Sequence, residues 1–283
     1  MKSEKNMRIA FLLNASFAII ECLFGILFNS SAVLADAVHD MGDALAIGLA
    51  AFLEKISQRK GDEKYSLGYK RFSLLGAVLT ASILIVGSIL LVVENIPKLF
   101  APETVNYNGM LVLGVVAIII NFAASRVVRH GHSHNESILS LHFLEDILGW
   151  LAVILVSIIL RFTDWYFLDP LLSLVISTFI LSKAIPQFWK NLKIFLDHVP
   201  EDVDLSAFEK DILALDQIEA ITQLNVWTTD GLEKFAMLHV CPKDIQDSQV
   251  CKTALRKLAR TYGITHLTVE LDQSVIEHKE HEG

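Results

Sequence analysis

Asp36, His39, Asp40 and Asp43 stand at i, i+3, i+4 and i+7 in a segment otherwise apolar enough to cross a membrane. In a helix of 3.6 residues per turn they share one narrow stripe. A carboxylate at bilayer depth costs at least roughly 2.5–3.5 kcal/mol, so the stripe is expected to face a bundle interior, a water-filled cavity or a bound cation. His142 and Asp146 repeat the spacing of His39 and Asp43 in a second apolar segment, again one turn apart on one helix face. Two such pairs facing each other supply two nitrogens and two oxygens, the ligand count and type of a closed tetrahedral Zn²⁺ site. A lone intramembrane His or Asp is often a satisfied packing residue, but two matched pairs leave two uncompensated carboxylates unless a cation or protons neutralise them. His39, Asp43, His142 and Asp146 are therefore the expected metal set. Asp36 and Asp40 share the stripe without matched partners and are assigned to the layer around the ligands or to the ion path.

Such a set binds zinc only with both imidazoles neutral and both carboxylates ionised, so metal and protons compete for it. Histidine, with a reference pKa of about 6.5, is the expected carrier of that competition. Three further histidines, His130, His132 and His134, alternate in a Gly/Ser/Asn setting. They read either as a flexible weak chelator that captures metal or as an incidental polar loop. In the first span Asn14 and Glu21 lie two turns apart on one face, lining a cavity or bonding a neighbouring helix. Cys22, Cys241 and Cys251 show no paired spacing, which argues against a disulfide framework or a thiolate metal site. No organic cofactor is expected.

The elements that must position these groups follow from hydropathy. Of 283 residues 53% are hydrophobic, and six apolar spans fall at about 7–29, 32–54, 74–97, 108–128, 138–160 and 167–189, each near the ~20 residues a bilayer requires. Fourteen Lys and Arg residues flank the spans on the side of the termini and only Lys98 and Arg161 flank them on the other. That asymmetry puts both termini in the cytoplasm, which for a bacterium means the inner membrane. Met7 to Phe28 carries Glu21 and no small-residue cleavage site, so it is expected to be a span and not a cleavable signal.

Acids and bases balance through His198, so the net charge of −8 lies wholly in residues 199–283. An acidic soluble part disfavours nucleic acid as a partner. Its periodicity changes as well. Ser206 and Glu209 fit a capping box ahead of a short helix, and Leu224, Val226, Thr229-Asp230-Gly231 and Phe235 to Val240 read as strand, turn, strand. Val250 to Tyr262 reads as a helix stopped by Gly263, followed by a strand through Leu267, Val269 and Leu271. The expected class is a membrane protein with a six-helix bundle in 1–199, followed in 200–283 by a small cytoplasmic α/β domain of αββαβ order, ferredoxin- or metallochaperone-like.

Over nearly its whole length the chain resembles the cation diffusion facilitator family of metal transporters. The likeness rests on the six spans, on Ala35-Asp36-Ala37-x-His39-x-x-x-Asp43 and His142-x-x-x-Asp146, on the His-containing loop before the fifth span, and on Leu196-Asp197-x-x-Pro200 before an α/β domain. The resemblance implies a homodimer in membrane lipid that exports divalent cation from the cytoplasm in exchange for protons, and its two-His, two-Asp site looks like the zinc-preferring branch. It also implies a charge contact between Arg71 and Asp197 beside the dimer interface. Regulatory zinc ligands are implied at His239, His266 and Asp272, with Glu270 as helper. Two departures stand out: Arg71-Phe72-Ser73 lacks the acid many relatives carry, and Asn225-Val226-Trp227 replaces their His-Val-Trp.

A broader exporter of Cd, Co, Fe or Mn in the same family remains open. So do two readings of other classes, a membrane-anchored metal sensor and an intramembrane metal hydrolase. The hydrolase needs an open zinc position and a general base. His-Glu-x-x-His is absent, and four protein ligands would close the site, so the chain is expected not to be an enzyme.

Overall fold

The computed structural model describes residues 2–128, 134–244 and 248–273, without the side chains of 2–11, 13–14, 46–47, 50–51, 54 and 124–145. His130 and His132 therefore lie outside the described residues, as do the side chains of Asn14, His134 and His142. Six long helices come first: α1 Lys2–Phe28, α2 Ser31–Ser57, α3 Arg71–Phe100, α4 Tyr107–Val128, α5 His134–Phe162 and α6 Leu168–Phe195. There follow α7 Leu205–Leu213, β1 Ile218–Thr228, β2 Lys234–Pro242, α8 Ser248–Thr261 and β3 Ile264–Leu271. The contacts divide the chain into two units, 1–53 with 76–188 and 54–75 with 189–283. The α2–α3 connection thus groups with the C-terminal part.

The first unit is apolar outside and polar inside. Ile19, Leu23 and Leu27 of α1, Val86, Leu90 and Val93 of α3, Val112 and Ile119 of α4, Leu148 and Leu155 of α5 and Val175 of α6 are exposed, while Glu21, Asp36, Asp40, Asn121, Asp146, Ser173 and Ser177 are buried. That inversion suits a lipid solvent, where only the interior can satisfy polar groups. Among the described residues α3 and α6 are each long and apolar enough to cross a bilayer by themselves. α4 packs on α5 and on α1, and Phe17, Met110, Leu113, Trp150 and Val153 form their shared core.

Two local devices set α2, the helix that carries the acidic stripe. Its N-terminus is capped from α6: Asp169 accepts from Ser30 Oγ at 2.6 Å and from the Ser31 amide at 2.7 Å. A carboxylate there satisfies otherwise orphaned donors and complements the helix dipole. Gly42 permits close approach of α3, since a Cβ at that position would meet Leu84 Cδ2 at 2.1 Å.

In the second unit β1 pairs antiparallel with β2, and β2 pairs parallel with β3. One sheet face is covered by α7 and α8 through Phe208, Ile212, Val226, Leu238, Val240, Cys251 and Leu255, as period-2 alternation requires. The expected capping box does not form. Asp204 caps α7 instead, its carboxylate accepting from the Ala207 amide at 2.9 Å. The helix begins one residue before Ser206, which removes the Ser206 side chain from the cap position. Gly231 (φ 83°) and Gly263 (φ 73°) take the left-handed conformation that ends β1 and α8.

Candidate functional site

The α2 stripe turns inward, with Asp36 and Asp40 buried and His39 and Asp43 half-buried. His39 Nδ1 lies 3.5 Å from Asp43 Oδ2, one turn along the helix, and His39 Nε2 lies 4.0 Å from Oδ1 of Asp146 on α5. Ligand atoms about 2.0–2.2 Å from a tetrahedral zinc are spaced roughly 3.3–3.6 Å apart. The first contact has that spacing and the second is slightly wider. The imidazole presents one nitrogen to each carboxylate. A neutral ring offers one of them to a metal, and a protonated ring donates from both. As placed, a protonated ring serves both carboxylates, whereas a cation on either nitrogen has one of the two carboxylates on its side. His142 precedes Asp146 by one turn of α5, and its side chain lies outside the described residues.

A second buried constellation adjoins this one. Single carboxylate oxygens of Glu21 on α1 and of Asp36 and Asp40 on α2 lie within 4.8 Å of one another. Sequence reasoning gave Glu21 no place in the site. Its signal was present in the cost of an acid inside an apolar span, but the partner it would meet could not be read from one helix. Gly149 brings α5 close, since a Cβ there would sit 3.5 Å from Asp36 Oδ1.

In the second unit His239, Glu270 and Asp272 each bring a donor atom within 4.8 Å of the others. His239 Nε2 is 3.6 Å from Glu270 Oε2 and its Nδ1 is 3.8 Å from Asp272 Oδ1. The pairing of His239 with Glu270 across β2 and β3 produces this, and Thr222 on β1 donates to the other oxygen of Asp272. His266 stands apart, with Nε2 3.6 Å from Glu233 Oε2 and its ring stacked on Phe235 at 4.5 Å. Arg71 donates to Asp197. Lys70 instead reaches the β1–β2 turn, bonding Glu233 and lying 3.6 Å from Asp230. The Glu233 carboxylate, with Asp230 beside it, raises the Lys70 ammonium above its ordinary pKa. The α2–α3 connection is further closed by Tyr69, whose hydroxyl bonds the Asp62 carboxylate at 2.6 Å and holds it below the usual range.

Residues 7–196 match the family model described as a cation efflux transmembrane domain. Over 274 residues the chain is 30% identical to the metal cation efflux system protein CzcD of Cupriavidus metallidurans, covering 95% of this chain and 87% of that protein. It is 27% identical to the cadmium, cobalt and zinc/H(+)-K(+) antiporter of Bacillus subtilis, covering 98% and 91%. To the zinc transporter ZitB of Pectobacterium atrosepticum it is 28% identical, covering 95% and 86%.

Proposed function

The chain belongs to the cation efflux family, and from that premise we propose that it is a zinc/proton antiporter whose cargo site is His39, Asp43, His142 and Asp146. It is an integral membrane transporter that exports divalent metal cations. The observation that carries the finer reading is His39 standing between Asp43 and Asp146, which joins α2 to α5 through one imidazole. Two nitrogens and two carboxylates favour borderline-soft Zn²⁺ over harder cations.

Zinc loads when His39 and His142 are neutral and unloads when protons take their nitrogens, so a site facing an alkaline cytoplasm fills and one facing an acidic exterior empties. Rocking of the helices around a midplane site provides alternating access. In this reading all six long helices span the inner membrane with both termini cytoplasmic, and two chains form the transporter. The His239–Glu270–Asp272 cluster takes a regulatory zinc in the cytoplasm. His130, His132 and His134 serve as the capture loop. Calorimetry of Zn²⁺ binding in buffers of different ionisation enthalpy tests the competition. A component of proton release on binding that is lost in Asp146→Ala is expected, and binding with no linked protons at mildly acidic pH refutes it.

A further inference from the structure

Glu21, Asp36 and Asp40 stand outside the cargo set, and all three are buried in the first unit. Glu21 reaches them from a different helix. Its carboxylate is fully buried, neither of its oxygens has a hydrogen-bond partner among the described residues, and one of them lies within 4.8 Å of oxygens on both Asp36 and Asp40. Oδ2 of Asp36 also lacks a partner among the described residues. A dry carboxylate aimed at two others is costly unless a cation or a proton offsets the charge.

We propose that Glu21, Asp36 and Asp40 form a second intramembrane cation site, selective for a hard, oxygen-preferring divalent cation of the Mn²⁺ or Mg²⁺ class. The donor chemistry sets the class. All three ligands are carboxylates, which suit hard cations, whereas the His39 set mixes nitrogen and oxygen. Asp36 and Asp40 flank His39 on α2, so the two sites adjoin with different ligands, and this inference does not rest on the zinc/proton reading.

The test uses the full chain in detergent, with Mn²⁺ as the probe and electron paramagnetic resonance counting free ion, alongside zinc calorimetry. Wild type is expected to bind one Mn²⁺ per chain that persists in Asp146→Ala. Glu21→Gln is expected to weaken Mn²⁺ binding at least about tenfold, the lower bound seen even for groups behind a ligand, while zinc binding is retained. Asp40→Asn should weaken Mn²⁺ binding equally, and it carries the prediction should Glu21→Gln fail to fold. Absence of saturable Mn²⁺ binding in wild type overturns the proposal. So does parental Mn²⁺ binding in both folded variants, or loss of Mn²⁺ in Asp146→Ala, which would put the ion in the cargo set. Loss of zinc but not Mn²⁺ in Asp146→Ala keeps the two sites separate, and failure of zinc binding in wild type would count against the zinc reading alone.

Discussion

Replacing Asp169 by Ala should loosen the helix that carries His39 and Asp43. The carboxylate is buried and accepts from Ser30 Oγ, the Ser31 amide and, at 3.4 Å, the Ala32 amide. Charge-assisted bonds contribute about 1.5–3 kcal/mol each, and the charge at a helix N-terminus adds roughly 0.3–1 kcal/mol. Burial of the carboxylate offsets part of that, leaving a net loss of about 2–4 kcal/mol for Asp169→Ala. At about 2–4 °C per kcal/mol for a chain of this size, Tm should fall by roughly 4–16 °C. Asp169→Asn keeps one acceptor for the Ser31 N–H and can donate its amide to Ser30 Oγ, so its Tm should fall between those of wild type and Asp169→Ala. Tryptophan fluorescence melts of the full chain in detergent measure this, with Asp164→Ala, an exposed acid nearby, as the control. A Tm for Asp169→Ala within about 1 °C of that control would refute the idea that α6 caps α2.

Gly42→Ala should cost about 1–3 kcal/mol by overpacking, because the added Cβ meets Leu84. Thermal melts in which Leu84→Ala restores the loss would check it. The hydroxyl of Tyr262 donates to Asp211 at 2.6 Å, which pushes its pKa to about 12. The bond therefore stabilises fully below the ordinary tyrosine range and is lost as pH rises through about 12. Ultraviolet phenolate titration should lose its latest-ionising component in Tyr262→Phe. Asp202 is held below its ordinary range by Lys234, so its contribution is present above that range and disappears as pH falls through the lowered value. Stability measured in acid should be less pH-dependent in Asp202→Asn. His239→Ala, in an Asp146→Ala background, should weaken the remaining zinc binding by at least about 10–100-fold in calorimetry, since His239 is the only nitrogen donor of its cluster.

Helix positions were legible because apolar length is a local property, and α3, expected near 74–97, spans Arg71–Phe100. The His39–Asp43 contact was legible for the same reason, since i,i+4 spacing on a helix fixes it. What joins helices was not. The short turn at Asn29 (φ 53°) makes α1 and α2 neighbours, but it does not fix which α2 residues Glu21 meets, which are Asp36 and Asp40. Nothing in the sequence singles out Trp150, which is fully buried against Phe17. The resemblance suggested His239, His266, Glu270 and Asp272 together, but the crossover through α8 sets which of them become neighbours. It sets His239 opposite Glu270, and His266 opposite Phe235.

The central claim is that one proton-sensitive four-ligand site carries zinc. Zinc flux into sealed vesicles containing the purified full chain, with an imposed pH gradient, tests it most directly. Wild type should accumulate zinc in an acidic lumen and stop when the gradient is collapsed. Asp43→Ala and Asp146→Ala should each abolish uptake while eluting as folded protein. Parental uptake in either variant, or uptake indifferent to the gradient, would contradict the account.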